Sequence, residues 1–228
     1  MFTYYDIYFV MLVVPALIFS LAMSAWVKSA YRKHSKQRNA RGITGAEAAE
    51  RVLRHYGIRD VGVEMTRGRL SDHYDPRRKV IRLSEGVYHG ATAAAVGIAA
   101  HEAGHAAQHA ERYVPIKVRN AILPATNIGS SLGPILIFLG LALAFDPLIT
   151  IGLGLFSLIV IFQLVTLPVE FNASRRALQV IDETGMLEGY DYDGARKVLR
   201  AAAMTYVAAL VSAIATLLRF VLRFSRRR

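Results

Sequence analysis

Apolar and charged residues alternate along this chain in long blocks rather than residue by residue. Residues 7–27 form a run of 21 without a charge. As a helix this run is about 31 Å long, which matches a hydrocarbon core of about 30 Å. A second block, residues 120–169, carries one charge in fifty positions, Asp146. It divides at Phe145-Asp146-Pro147 into residues 121–144 and 148–167, each long enough to cross, and so predicts a transmembrane hairpin. Two adjacent runs of that length argue against a helix pair buried in a soluble core. A last candidate, residues 201–218, has 18 uncharged positions between Arg200 and Arg219. Spanning is the favoured reading for it; a tilted, interfacial or internally packed helix is the alternative.

Between the first two apolar blocks the pattern becomes that of a small folded unit. Thr44-Gly-Ala-Glu47 is a capping box that predicts a helix running to about Tyr56, stopped by Gly57, with Ala48, Val52 and Leu53 on its apolar face. Val61-Gly-Val-Glu-Met65 and Lys79-Val-Ile-Arg-Leu83 predict short strands, with a turn at Asp75-Pro76 before the second. The alanine-rich, proline-free stretch from about Glu85 to Ala110 predicts one long helix. The expected fold class is mainly α and membrane-bound: transmembrane helices plus a small α+β domain. The expected segments are an N-terminal transmembrane helix (1–27), a charged α+β segment (28–119), the hairpin (120–169), a helical segment (170–200), and an apolar helix with a basic tail (201–228).

Charge orients this arrangement. The chain has 228 residues and a formal charge of +11, yet 54% of its residues are hydrophobic, which excludes a disordered basic tail. No positive residue precedes the first apolar run, whereas Lys28, Arg32, Lys33, Lys36, Arg38 and Arg41 follow it. That is the wrong order for a cleaved signal peptide and the right one for a retained anchor, with the N-terminus outside and residues 28–119 in the cytoplasm. The hairpin turn then lies outside, and Arg119, Arg175 and Arg176 mark cytoplasmic ends. If residues 201–218 also span, Arg223 and Arg226 to Arg228 fall outside, against the positive-inside rule. Nucleic acid is an unsuitable partner, because the 18 basic residues of 28–119 are mixed with nine acidic ones and flank the membrane runs. With no cysteine, a disulfide framework, a zinc-thiolate site and a cysteine nucleophile are all excluded.

The long helix carries His101-Glu102-Ala103-Gly104-His105. Histidines at i and i+4 share a helical face about 6 Å apart, so both rings can bind one zinc ion. Glu102, next to the first of them, stands where a general base acts on water. Ala99, Ala100, Ala103, Gly104, Ala106 and Ala107 bring no competing charge. His109 continues the spacing, but on an unbroken helix it lies about 12 Å along the axis from His101, too far to share the ion. It reads as a polar residue at the edge of the site. Glu170 is the better third ligand, because two membrane crossings return it to the side of the histidines; the alternative is that it ends a membrane helix and snorkels.

Four stretches together resemble the bacterial membrane-bound neutral zinc metallopeptidases of the YugP type. They are Thr44-Gly-Ala-Glu47, Leu70-Ser-Asp-His-Tyr-Asp-Pro76, Ala100-His-Glu-Ala-Gly-His-Ala-Ala-Gln-His109 and Leu167-Pro-Val-Glu-Phe-Asn-Ala-Ser-Arg-Arg-Ala177. The resemblance runs from the N-terminal helix to about Leu222, and more distantly extends to the HtpX and CAAX-protease group. It implies a zincin-like catalytic domain of gluzincin type: one Zn2+ held by His101, His105 and Glu170, with Glu102 as base. The wider group has an aspartate four residues after the glutamate ligand. Here that position is Ser174, so a carboxylate orienting a ligand histidine has to come from elsewhere or be absent.

The expected function is a multi-pass cell-membrane zinc metalloendopeptidase with its site on the cytoplasmic side, acting on peptides or on membrane or unfolded proteins. Its partners are that substrate and the lipid bilayer. A metal-binding membrane scaffold or chaperone without turnover is the alternative, and the retained Glu102 argues against it. The strand at 79–83 is the expected place for an extended substrate to pair. His73, Tyr74, Arg175 and Arg176 are candidate oxyanion donors.

Overall fold

The computed structural model describes residues 6–68 and 71–225. Residues 1–5, Leu70 at the head of the 70–76 stretch, and the terminal arginines 226–228 lie outside the described residues. The protein is mainly helical with one small sheet: α1 (Val14–His34, entered through a π-helical turn at Phe9–Val13), α2 (Gly45–His55), β1 (Gly62–Thr66), β2 (His73–Asp75), β3 (Val80–Ser84), α3 (Glu85–Tyr88), α4 (Ala93–Ala110), α5 (Val114–Ala142), α6 (Asp146–Glu183) and α7 (Gly189–Ser225). Among the described residues, four helices are long and apolar enough to cross a membrane: Phe9–His34, α5, α6 and α7. Only 11–28% of their apolar windows is buried within the protein, so most of that apolar surface has no protein cover. The chain divides into two compact units, residues 1–24, 117–167 and 205–228, and residues 25–116 and 168–204.

In the first unit α5 and α6 form the expected hairpin, turning through Ala144 in a left-handed conformation (φ 51°). Glycines let the two backbones approach. A Cβ on Gly129 would sit 2.4 Å from the Leu155 carbonyl oxygen, and one on Gly152 would sit 2.8 Å from the Ile137 nitrogen. Where no water competes between helices, such small-residue seams allow close van der Waals packing. Ile137, Phe156 and Phe220 close a small cluster that ties in α7. α1 and α7 lie antiparallel, with Ser20 Oγ 2.9 Å from Ser212 Oγ and Asp6 Oδ2 2.7 Å from Arg219 Nε and 2.8 Å from Arg223 Nη1.

The second unit is built on α2 packed against α4. The capping box forms: Thr44 Oγ1 accepts from the Glu47 amide at 3.2 Å, and Glu47 Oε2 accepts from the Thr44 amide at 3.0 Å. Ala48, Val52 and Leu53 face the core as expected, and Gly57 follows the helix at φ 67°. The sheet order is β1-β3-β2, with β1 parallel and β2 antiparallel to β3. β2 was not anticipated. Its sequence, His-Tyr-Asp, is too short to show alternation, and it is held partly by Asp72, whose carboxylate accepts from the Ser84 amide at 2.7 Å. With a neighbour on each side, β3 has no free edge, which overturns the expectation that an extended substrate pairs there.

The expected helix from Glu85 to Ala110 is interrupted between α3 and α4. Thr92 is the cause: extended at φ −128°, it caps α4 by accepting from the Ala95 amide at 3.2 Å. The backbone groups freed by the break bond elsewhere, the Gly90 carbonyl to the Gly45 amide and the Ala91 carbonyl to the Asn39 amide.

Candidate metal centre

α4 and α6 meet in the second unit where Gly104 faces Ala173. A Cβ on Gly104 would lie 2.7 Å from the Ala173 carbonyl oxygen, so only glycine allows this approach. One turn of α4 puts His101 and His105 side by side, their ring centroids 4.7 Å apart. The close contact brings them to Glu170, whose Oε2 is 3.4 Å from His101 Nε2 and 3.7 Å from His105 Nε2. The three donor atoms lie within 4.8 Å of one another. Glu170 is 2% exposed, and α6 continues past it to Glu183, so it neither ends a helix nor snorkels.

The opposite edges of the imidazoles are held. His105 Nδ1 lies 3.0 Å from Gln108 Oε1, and His101 Nδ1 lies 3.1 Å from Ser174 Oγ. Gln108 is fully buried, and its amide orientation is fixed because Nε2 donates to the Val169 carbonyl at 2.8 Å and to Asn172 Oδ1 at 2.9 Å. Asn172 is fixed in turn by Arg176 Nε, which donates to the same Oδ1 at 2.7 Å. An oxygen therefore faces His105 Nδ1, and that nitrogen must carry the hydrogen. In the neutral ring the Nε2 lone pair then points at the Glu170 carboxylate, acceptor against acceptor, an arrangement that calls for a cation between them.

Burial works against protonating His105, but Glu170 and Glu102 beside it outweigh that penalty and raise its pKa. The site favours added positive charge. Two imidazole nitrogens and a carboxylate oxygen are a donor set suited to zinc. At bond lengths of 2.0–2.1 Å, tetrahedral donors lie about 3.4 Å apart, close to the His–Glu separations observed. The residues fit the ion.

Glu102 follows His101 on α4, partly exposed, beside this cluster and outside it. His109 is exposed, meets the edge of Tyr74 at 6.1 Å and takes no part in the donor cluster. Of the oxyanion candidates, Arg176 is committed to Asn172 and to Glu111 at 2.7 Å, His73 Nδ1 is turned to the Ser71 carbonyl at 2.7 Å, and Tyr74 packs against the core of this unit. Arg175 lines a separate groove between α6 and α7. Sequence reasoning missed Gln108 and Asn172. The available signal was spacing: Gln108 stands at i+3 from His105 on the same face, a position obscured by the more conspicuous His109. The missing aspartate at Ser174 is matched by two neutral partners, the Ser174 hydroxyl for one histidine and the Gln108 amide for the other.

The model of the family described as "Putative neutral zinc metallopeptidase" matches residues 9–225. Among curated proteins, the "Putative membrane protease YugP" of Bacillus subtilis (strain 168) is 48% identical over 218 residues, covering 94% of this chain and 97% of that protein. No solved structure matches the chain.

Proposed function

The chain belongs to the neutral zinc metallopeptidase family, and from that premise we propose that it is a multi-pass membrane endopeptidase of gluzincin type. His101 Nε2, His105 Nε2 and Glu170 Oε2 would hold one zinc ion, and Glu102 is the general base. The observation that carries this reading is the convergence of those three donor atoms within 4.8 Å, with His105 turned so that its lone pair enters the cluster. Zinc held by these three residues would supply Lewis acidity and lower the pKa of water to about 7.

The protein's own groups do the rest. Glu170 and the two imidazoles hold the ion, and the Gln108–Asn172–Arg176 chain keeps His105 in its metal-binding tautomer. The Glu102 carboxylate accepts a proton from the attacking water and returns it to the leaving amine. A site with only structural duties would have no use for a base there, and would usually be closed by a fourth protein ligand.

The site faces the cytoplasm. The cluster of positive residues after the first apolar run supports this, while the return of α7 to the N-terminal end of α1 supports a fourth crossing. The tail arginines that resist the positive-inside rule are partly neutralised: Asp6 pairs with both Arg219 and Arg223, and the Arg219 guanidinium lies 4.8 Å from the Phe9 ring centroid. Asp6 and these arginines therefore share one side, as four crossings require.

The test is Glu102→Gln in the purified full chain. Zinc content should remain at one ion per chain while cleavage of casein falls by about a hundredfold or more. A variant that still cleaves at the original rate removes Glu102 from the mechanism. Zinc bound at full occupancy by a wild-type protein that cleaves nothing in a broad substrate panel would instead favour the scaffold reading.

A further inference from the structure

A groove of about 420 Å³ runs between the parts of α6 and α7 that belong to the second unit, behind Ser174. Its walls are of two kinds. Phe171, Leu178, Leu199 and Ala203 are apolar; Arg175, Arg196 and Arg200 bring three guanidinium groups. Arg196 meets Asp193 at 3.2 Å in an exposed pair one turn away, which is weak in water. Arg175 and Arg200 are exposed and have no ion-pair partner among the described residues. With one exposed acid at the edge of the group, the three guanidinium groups repel one another, and an anion with several oxygens relieves that repulsion while using the guanidinium forks.

The apolar half of the groove indicates what else the anion carries. A free phosphate has no use for Phe171, which stays 46% exposed, or for Leu178. Chain connectivity supplies the rest: α6 reaches Phe171 after an uncharged run from 147 to 169, and α7 passes from Arg200 directly into the uncharged run 201–218. The groove thus stands where two apolar helical stretches give way to charge, the level at which phospholipid headgroups lie. We propose that this groove binds the phosphate-bearing headgroup of an anionic phospholipid, with Arg175, Arg196 and Arg200 on the phosphate and Phe171, Leu178 and Leu199 against the first carbons of its acyl chains. Ser174 belongs to both the groove wall and the hydrogen bond to His101 Nδ1, so the bound lipid sits one side chain from the metal ligands.

The proposal concerns lipid binding and does not depend on peptide hydrolysis. Its test uses the full chain, solubilised in neutral detergent and examined by native mass spectrometry with added phosphatidylglycerol or phosphatidylcholine. The expected result is a saturable one-to-one adduct with phosphatidylglycerol and much less with phosphatidylcholine. Arg175→Gln/Arg200→Gln should weaken that adduct by about tenfold or more. Lys33→Gln/Lys197→Gln, which removes two exposed charges from outside the groove lining, should leave it unchanged. Equal binding of the two lipids, or an adduct unaffected by the arginine pair, overturns the proposal. Complete displacement by millimolar inorganic phosphate would also overturn it, by showing a free-anion site, and displacement by a short peptide carboxylate would assign the groove to substrate instead.

Discussion

The α5–α6 contact in the first unit and the α4–α6 contact in the second begin with the same device and end differently. Each brings two helices closer than side chains allow by placing a glycine against a carbonyl oxygen, Gly129 against Leu155 and Gly104 against Ala173. Around Gly129 the remaining contacts are apolar, and the serines beside it on α5, Ser130 and Ser131, donate to the carbonyl of Asn127 on their own helix. Around Gly104 the approach is pinned by Gln108, Asn172 and Arg176, three polar side chains whose bonds run from one helix to the other or along its face. Packing alone leaves a helix pair free to adjust by fractions of an ångström, which an apolar seam tolerates. A metal centre does not, because its donors must stay within a few tenths of an ångström of fixed distances.

The largest effects come from exchanging glycine for alanine at both contacts. Helix propensity favours alanine by about 1 kcal/mol in each case, so any loss reports the approach itself. Gly104→Ala should force α4 away from α6 and lower zinc affinity by about tenfold or more, seen by competition with a chelator. Gly129→Ala meets an even closer carbonyl, yet should leave zinc affinity within twofold and instead destabilise the protein by about 1–3 kcal/mol in thermal unfolding. If the two variants behave alike, the distinction between a tolerant seam and a precise one fails.

A finer probe separates the polar pins from the packing. Gln108→Leu keeps the volume and removes the oxygen that holds His105 in its metal-binding tautomer. Zinc should bind about 10–100-fold more weakly, with the fold intact by circular dichroism. Ser174→Ala removes a bond whose direction the hydroxyl can reverse, and its effect should be smaller. Unchanged affinity in Gln108→Leu would mean that Glu170 alone orients the ring.

How much of this was legible in the sequence follows from how local each signal is. The capping box at Thr44 and the stop at Gly57 are set by neighbours within a few residues and appear where the pattern placed them, while the turn expected at Phe145-Asp146-Pro147 falls at residues 143–145, with Asp146 and Pro147 opening α6. The pair of histidines is equally local, a matter of helical period. Glu170 was legible by a different route, through the number of apolar runs between it and His105, and the structure brings it to the two histidines. Thr92 was a local signal overlooked, since a proline-free stretch leading into an alanine-rich run reads as continuous helix until its cap is recognised. β2 and the Gln108–Asn172 bond were not local: three residues pair only because β3 is already in place, and residues 108 and 172 meet only because Gly104 lets α6 approach.

The smallest effect tests a charged contact in the first unit, Asp6 with Arg219 and Arg223. Burial alone would raise the Asp6 pKa, but the hydrogen bonds from the two arginines and from the Phe9 amide hold it below the usual carboxylate value. A depressed folded-state pKa means that the stabilisation is fully present above the unfolded value, near pH 4, and is lost as the pH falls through the folded value. At pH 7, Asp6→Asn should lower the melting temperature of the detergent-solubilised protein by about 2–4 °C. Below pH 4 the gap between variant and wild type should shrink, because the wild-type carboxylate is then also becoming neutral. Raising the salt concentration at pH 7 should narrow the gap only slightly, since the Asp6 carboxylate is 13% exposed and poorly screened. A gap that persists unchanged down to pH 2 would assign the effect to packing around Phe9, and would make the terminal ends of α1 and α7 one more apolar seam like the one at Gly129.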